Sequence, residues 1–448
     1  MRRLRALLLG SALIVGWLVP MNVASGTGGT TRFATFNASL NRNNAGQALA
    51  DLSVPGNAQA DAVAEIIQRI RPDVLLINEF DYYAPTTAHP DGPLVDAFRD
   101  NYLAVAHNGA APIDYPYAFV AESNTGIPSG FDLNNNGVVA GADDAFGFGF
   151  FPGQFGMAVL SMHPIAYDDI RTFQHFLWKD MPGALLPDDP ATAAAADWYS
   201  AAELAVFRLS SKSHWDVPID IDGTTVHFLV SHPTPPVFDG PEDRNGTRNS
   251  DEIRLWADYI TPGPTSAYIY DDAGTHGGLK PGEPFVIAGD QNSDPLDGDS
   301  IPGSIQQLLD HPLVNTRLTP SSPGGPEAAA LQGGANTGHD SDPAFDTADF
   351  ADSAPGNLRA DYVLPRVNLR LMGAGVFWPV QGRPPVPAHG HLPLPELGPS
   401  GGLDRRDAAR LACRDCPRRR DRTTAGLPNG RPASSPARER HGTPGGAR

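Results

Sequence analysis

The chain has 448 residues, 41% of them hydrophobic, with 51 acidic against 33 basic side chains and a formal net charge of −18. That suffices for one large buried core, and a chain of this length need not divide into two domains. Residues 383–448 hold 13 Arg, no Lys and 6 acids, leaving 20 basic and 45 acidic residues, about −25, on the rest. Such a body excludes a tight, sequence-independent grip on duplex nucleic acid, which needs Lys and Arg against the phosphates; a local cleft for one phosphate ester stays open to it.

In chain order, Met1-Arg2-Arg3-Leu4-Arg5 precedes an apolar stretch to Met21 and small residues through Val23-Ala24-Ser25, which predicts a secretory signal over residues 1–25. The apolar run is shorter than the ~20 residues of a spanning helix, and no later segment is apolar enough to span, so stable membrane insertion is not expected. No Cys follows the apolar centre to carry a lipid. A β-rich run at 32–36 ends in Asn37. Residues 58–71 set Ala62, Val63, Ile66, Ile67 and Ile70 on one helical stripe, stopped by Pro72. A second β-rich run, 73–77, closes with Asn78-Glu79.

Residues 132–143 place Asp132, Asn134, Asn136 and Asp143 at positions 1, 3, 5 and 12 of a loop with Gly137 at position 6, Val138 at 7 and Ala140 at 9. This is the pattern of a calcium loop, with Asp in place of the usual bidentate Glu, and it resembles the dockerin-type loop of extracellular bacterial proteins. It predicts a Ca²⁺ site that stiffens an insertion; an Asn/Gly-rich surface turn is the plainer alternative. Lys212 and His214 lie on an apparent strand before the Asp220-Ile221-Asp222-Gly223 turn, as possible cleft residues. A third β-rich run, 225–230, ends at Ser231-His232-Pro233. Asn249 and Glu252 suggest a capping box for a helix over 252–259, from which Arg248 or Arg254 could reach a phosphate, although solvated helix charge is the commoner role.

The most informative run is 285–288, which delivers Gly289-Asp290-Gln291-Asn292. Two residues apart on an extended chain point the same way, so Asp290 and Asn292 offer a proton acceptor and an amide side by side at a sheet's edge, where open α/β folds place their chemistry. One such pair is often only a strand end closed by side-chain turns. Residues 319–352, dense in Gly, Pro, Ala, Ser and Asp, read as a flexible loop in which His339, Asp340, Asp342 and Asp346 are solvated charge by default. A last β-rich run, 359–364, carries Asp361. The two cysteines, Cys413 and Cys416, have no second pair and no strand–helix setting, so neither zinc nor redox chemistry is read from them.

Strand ends bearing Asn, Glu, His, Asp-x-Asn and Asp in this order are harder to set aside than any one of them. With Thr35-Phe36-Asn37, Asn78-Glu79-Phe80, Gly156-Met157-Ala158-Val159-Leu160-Ser161, Ser231-His232, Gly289-Asp290-Gln291-Asn292 and Arg359-Ala360-Asp361-Tyr362, the chain resembles the endonuclease/exonuclease/phosphatase superfamily over about residues 31–380. Residues 208–216 resemble a segment of its secreted bacterial branch. The resemblance implies an α/β fold, a four-layered α/β sandwich of two mixed sheets flanked by helices. It implies that Glu79 binds a divalent metal, Mg²⁺ or Mn²⁺, with Asn37 and Asp290 beside it. Asp290 and Asn292 would orient or deprotonate the attacking water, His232 would contact the phosphoryl oxygens, and Asp361 would fix a second His. The chemistry is sound independently of the name: hydrolysing a stable anion needs a hard cation against developing charge, a base and held hydrogen-bond donors.

The sequence therefore predicts a secreted, monomeric, metal-dependent phosphoesterase acting on extracellular nucleic acid, a phospholipid or a small phosphoester. A phosphomonoesterase of the same fold, or a calcium-dependent extracellular binding module without turnover, competes with a diesterase. One member of the pattern is missing. The family places Ser-Asp-His before a terminal strand, yet no Asp-His follows Trp378, and His389 and His391 have neither an Asp before them nor a β-rich run after. Residues 389–399, written in GC-rich codons and shifted by one nucleotide, can yield Thr-Gly-Thr-Phe-Pro-Phe-Pro-Ser-Ser-Asp-His. The expectation is a change of reading frame near Gly382, with 383–448 an out-of-frame tail without a fold; a genuine basic tail for anionic surfaces is the alternative.

Overall fold

The structure, a computed structural model, describes residues 29–381. The signal segment, Cys413 and Cys416, His389 and His391, and the tail after 382 lie outside the described residues. Nine strands form two mixed sheets. The first comprises β1 (Phe33–Asn37), β2 (Val74–Asn78), β3 (Tyr117–Phe119) and β4 (Met157–Ser161), in the order β1-β2-β4-β3. The second comprises β5 (Arg171–Thr172), β6 (His214–Ile221), β7 (Thr224–Ser231), β8 (Phe285–Asp290) and β11 (Asp361–Pro365), in the order β11-β8-β7-β6-β5. A small ribbon pairs β9 (Ala348–Asp349) with β10 (Asn357–Leu358). In each large sheet one pair is parallel, β1 with β2 and β7 with β8, and the rest are antiparallel.

Period-two alternation sorts the side chains into layers. Val74 and Leu76 of β2 face the second sheet and pack with Val226, Phe228 and Val230 of β7 and with Val286 and Ala288 of β8. The residues between them turn outward. Leu75 and Ile77 meet Val63, Ile66 and Ile67 of the helix Ala58–Ile70. Leu229, Phe285 and Ile287 meet Ile253, Trp256 and Ile260 of the helix Arg244–Ile260. Helix, sheet, sheet, helix is the four-layered α/β sandwich expected. These strands are apolar on both faces because each sheet is covered twice, which is why their sequences read as continuous apolar runs.

The first helix begins and ends as its sequence dictates. The Asn57 side chain accepts from Ala60 N at 3.1 Å, and Arg71 closes it in the left-handed region before Pro72. The second departs from expectation: it starts at Arg244, and Asn249 lies inside it. Its first turns include the poor helix formers Asn245, Gly246, Thr247 and Asn249, but the side chains of Asn245, Arg248 and Asn249 are tied to carbonyls outside the helix, so packing overrides propensity. The segment 319–352 also differs. It contains the helix Gly324–Gln332, two short turns of 3₁₀-helix and β9. A Cβ at Gly324 would overlap the main chain of Trp378, so glycine here marks close packing where composition suggested a loop.

Candidate active site

The strand-end residues meet at one rim of the sandwich. Asn37 ends β1 in the first sheet, and its Nδ2 donates to Glu79 Oε1 and to Asp290 Oδ2, 3.0 Å in each case. Glu79 follows β2, whose register with β1 pairs Asn37 with Asn78. Asp290 ends β8 in the other sheet. One amide thus ties two carboxylates across the gap between the sheets. His232, just past β7, holds Nε2 3.6 Å from Asp290 Oδ2. Asp361 pairs with Asp290 in the β11–β8 register.

The backbone bends to make this arrangement. Glu79 has φ 57° and Asn292 φ 50°, left-handed values uncommon for residues other than glycine and found where a turn aims a side chain. At Asn292 the turn lets its own N–H donate to Asp290 Oδ1 at 3.0 Å, while Nδ2 donates to Pro233 O at 3.1 Å. The Asp-x-Asn pair is therefore not two parallel side chains: Asn292 curls back, braces Asp290 and ties the β8 loop to the β7 loop. Gly289 allows this, since a Cβ there would overlap the Ser231 carbonyl.

The acids are buried and crowd each other. Burial, chiefly, pushes Asp290 up to about 6; the Asn37 and Asn292 donors oppose this and Glu79 adds to it. Burial and then the nearby Asp290 push Asp361 well above the carboxylate range, although Thr347 Oγ1 donates to its Oδ2 at 3.0 Å. The other oxygen of Asp361, Oδ1, is buried with no hydrogen-bond partner among the described residues. Lys212 is buried at the same place, with Glu252, Asp290 and Glu79 attracting its charge.

Other candidates fall elsewhere. His214 is fully buried and paired on both nitrogens, Nδ1 to Ser210 Oγ at 2.7 Å and Nε2 to Glu252 O at 2.9 Å, and burial lowers it to about 4. Arg248 spends its guanidinium on the carbonyls of Leu209, Phe146 and Arg208 at 2.8, 2.6 and 3.0 Å. Both serve as internal braces. The loop 132–143 is closed by its own amides. Asp132 accepts from Asn136 N and Gly137 N, Asn134 from Asn136 N, and Asn136 from Val138 N. Its inward carboxylate is the buried Asp144, which accepts from Leu133 N and Ala140 N, whereas Asp143 is exposed. No α-helix adjoins it on either side, and the geometry does not support calcium there.

Sequence reasoning missed one residue and misassigned another. Asp81, two beyond Glu79, accepts from Arg42 N and Phe155 N at 3.0 and 3.1 Å and is pushed up to about 6, mainly by burial. Its spacing from Glu79 was a usable signal. Asn249, read from the sequence only as a helix cap, donates to Thr234 O at 2.8 Å and Gln291 O at 2.9 Å, fastening the loops after β7 and β8 together; nothing local marked that role, because it is wholly tertiary.

A family model for the Endonuclease/Exonuclease/phosphatase family matches residues 34–400. The chain belongs to this family. The match runs past residue 382, near which a change of reading frame was expected. Among solved structures, an endonuclease/exonuclease/phosphatase from Beutenbergia cavernae DSM 12333 is similar at 17% identity, covering 76% of this chain and 65% of that one, with a TM-score of 0.39. Sphingomyelinase C from Streptomyces griseocarneus is 17% identical, covering 75% of this chain and 84% of that one at TM-score 0.35. A beta toxin variant from Staphylococcus aureus with bound magnesium ions is 13% identical with the same coverages and TM-score. The chain thus spans about two thirds of the length of the first of these. No curated protein matches it.

The donor set fits the hard divalent cation the family implies. Glu79 and Asp290 supply two carboxylates, drawn to one point by Asn37, and Mg²⁺ takes one or two carboxylates and keeps water and substrate oxygens for the rest. Among the described residues no group of three or more His, Cys, Asp or Glu side chains is placed to hold a metal ion, so the candidate set is these two carboxylates alone.

Proposed function

We propose that the chain is a secreted, metal-dependent phosphoesterase that hydrolyses phosphodiester bonds at the rim formed by Asn37, Glu79, His232, Asp290 and Asn292. The observation that carries the reading is the Asn37 amide held 3.0 Å from carboxylates of both sheets, an arrangement that no core-packing purpose requires. Secretion rests on the basic, apolar and small-residue order of residues 1–25; among the described residues no helix is long and apolar enough to cross a membrane.

Glu79 and Asp290 would hold Mg²⁺ or Mn²⁺, which when bound neutralises charge developing on the phosphoryl group. Asp290 accepts the proton of the attacking water, whose oxygen bonds to phosphorus as the ester P–O bond breaks and its electron pair leaves with the alkoxide. Asn292 keeps Asp290 oriented through its N–H, and His232 donates to a phosphoryl oxygen. Asn37 holds Glu79 and Asp290 at working separation against their mutual repulsion. The burial that raises Asp290 suits a base serving near neutral pH.

The same reading extends to the tail. The unmet Oδ1 of the buried Asp361 supports a missing partner, as expected if the frame is lost near Gly382 and a Ser-Asp-His lies in the other register. The functional test is a hydrolysis screen on DNA, RNA, sphingomyelin and nitrophenyl mono- and diesters with Mg²⁺, Mn²⁺ or Ca²⁺. Turnover of a diester, lost in EDTA and lost in Glu79→Ala, is the expected result. Full activity in EDTA would refute it.

A further inference from the structure

Lys212 is 7% exposed, and its main-chain oxygen accepts from Asn124 N at 2.9 Å, which fixes the residue just ahead of β6. Its ammonium carries three donors, yet the one hydrogen bond it makes among the described residues is a long one, 3.4 Å to Pro233 O. Lys179 and Lys280 pair with carboxylates; Lys212 makes no ion pair among the described residues. Glu252, the carboxylate that attracts it most, turns both oxygens to main-chain donors, accepting from Ser211 N at 2.6 Å and from Thr234 N at 2.7 Å. A buried cation left with one weak acceptor is costly unless an anion completes it.

Its position says which anion. Pro233 O, the acceptor of Lys212, also accepts from Asn292 Nδ2 at 3.1 Å, so the ammonium sits against the same loop carbonyl as the residue bracing Asp290. His232 is the neighbour of that carbonyl in sequence and lies 3.6 Å from Asp290. The surrounding rim is acidic, so a bound phosphate ester needs positive charge from the protein on the side away from Glu79 and Asp290.

We propose that Lys212 is the anion-binding residue of this site, its ammonium meeting a non-bridging oxygen of the substrate phosphoryl group. This rests on the phosphoesterase reading above, and deepens it by naming the group that pays for bringing a phosphate anion to an acidic rim. Ammonium–phosphate contact is a point-charge interaction that serves any phosphoryl ester, so Lys212 contributes to affinity and turnover and leaves the choice of alcohol to other residues.

The test is calorimetric titration of inorganic phosphate into the Mg²⁺-saturated full chain and into Lys212→Met, Lys212→Gln and Lys212→Arg, with bis(4-nitrophenyl) phosphate hydrolysis and melting temperature measured alongside. The expected result is a loss of phosphate affinity and of kcat/KM by roughly 10- to 100-fold in the Met and Gln variants, the worth of one charged hydrogen bond. Arg should restore much of it, and the melting temperature of Lys212→Met should equal or exceed that of the wild type, since an unpaired buried charge has been removed. Unchanged phosphate affinity in Lys212→Met overturns the proposal. So does a fall in melting temperature in step with the lost affinity, which would make Lys212 a structural residue. A wild type that neither binds phosphate nor hydrolyses the diester overturns the functional reading as well, whereas turnover retained in Lys212→Met overturns only the role of Lys212.

Discussion

Asp346 shows how a residue that reads as solvated charge can be the opposite. It is 1% exposed, its Oδ1 has no hydrogen-bond partner among the described residues, and it is pushed up to about 8 by burial first and then by Asp294, Asp297 and Asp342. In the unfolded chain the same group titrates near ~3.9. Between those values the folded state binds the extra proton, so stability falls as pH rises from about 4 to 8 and levels off above. Asp346→Asn should therefore raise the melting temperature, by more at pH 8 than at pH 5. Curves that stay parallel across that range would contradict the burial argument. Arg248 makes the complementary case. Its three main-chain acceptors predict that Arg248→Ala lowers stability by about 3 kcal/mol or more, seen in urea unfolding; a change confined to KM with stability intact would return it to the substrate.

The elements divide by how local their causes are. The helix Ala58–Ile70 was legible because its apolar stripe and its Pro72 stop are both local. Strands β1, β2, β7, β8 and β11 were legible as apolar runs with polar ends, and those ends gave Asn37, Glu79, His232, Asp290 and Asp361. Where long-range contacts decide, the sequence misled. The helix Arg244–Ile260 starts on poor formers because Arg248 and Asn249 are tied to distant carbonyls, and the segment 319–352 is ordered by close approach at its glycines. The loop 132–143 carries a liganding pattern whose oxygens are taken by its own amides. Gly289 gives an element-scale prediction: Gly289→Ala should force β7 and β8 apart at Ser231, lowering melting temperature and activity together. A variant with wild-type melting behaviour would show that the two strands do not need this approach.

For the whole molecule, two sheets packed face to face bring their strand ends together at the candidate site, so the chemistry depends on the stacking of the layers as well as on strand ends. That stacking is carried by Phe33, Val74, Leu76, Phe228, Val230 and Val286. The open Oδ1 of Asp361 marks where the account reaches beyond residue 381. Sequencing the DNA after Gly382 should reveal Ser-Asp-His ahead of a β-rich run in another register, and restoring that register should raise melting temperature and activity. A register without that motif, or restoration without gain, would leave the tail as it stands.

The central claim is that Asp290, held by Asn37 and Asn292 at the junction of the two sheets, is the base of a phosphoester hydrolase. The most direct measurement is turnover of bis(4-nitrophenyl) phosphate by wild type and Asp290→Asn in Mg²⁺, beside their melting temperatures. Because Asp290 is buried and raised to about 6, a neutral Asn should fold at least as stably, while turnover should fall by roughly 10²- to 10⁴-fold. Asp290→Asn with wild-type turnover, or with turnover lost only as stability is lost, would contradict the account.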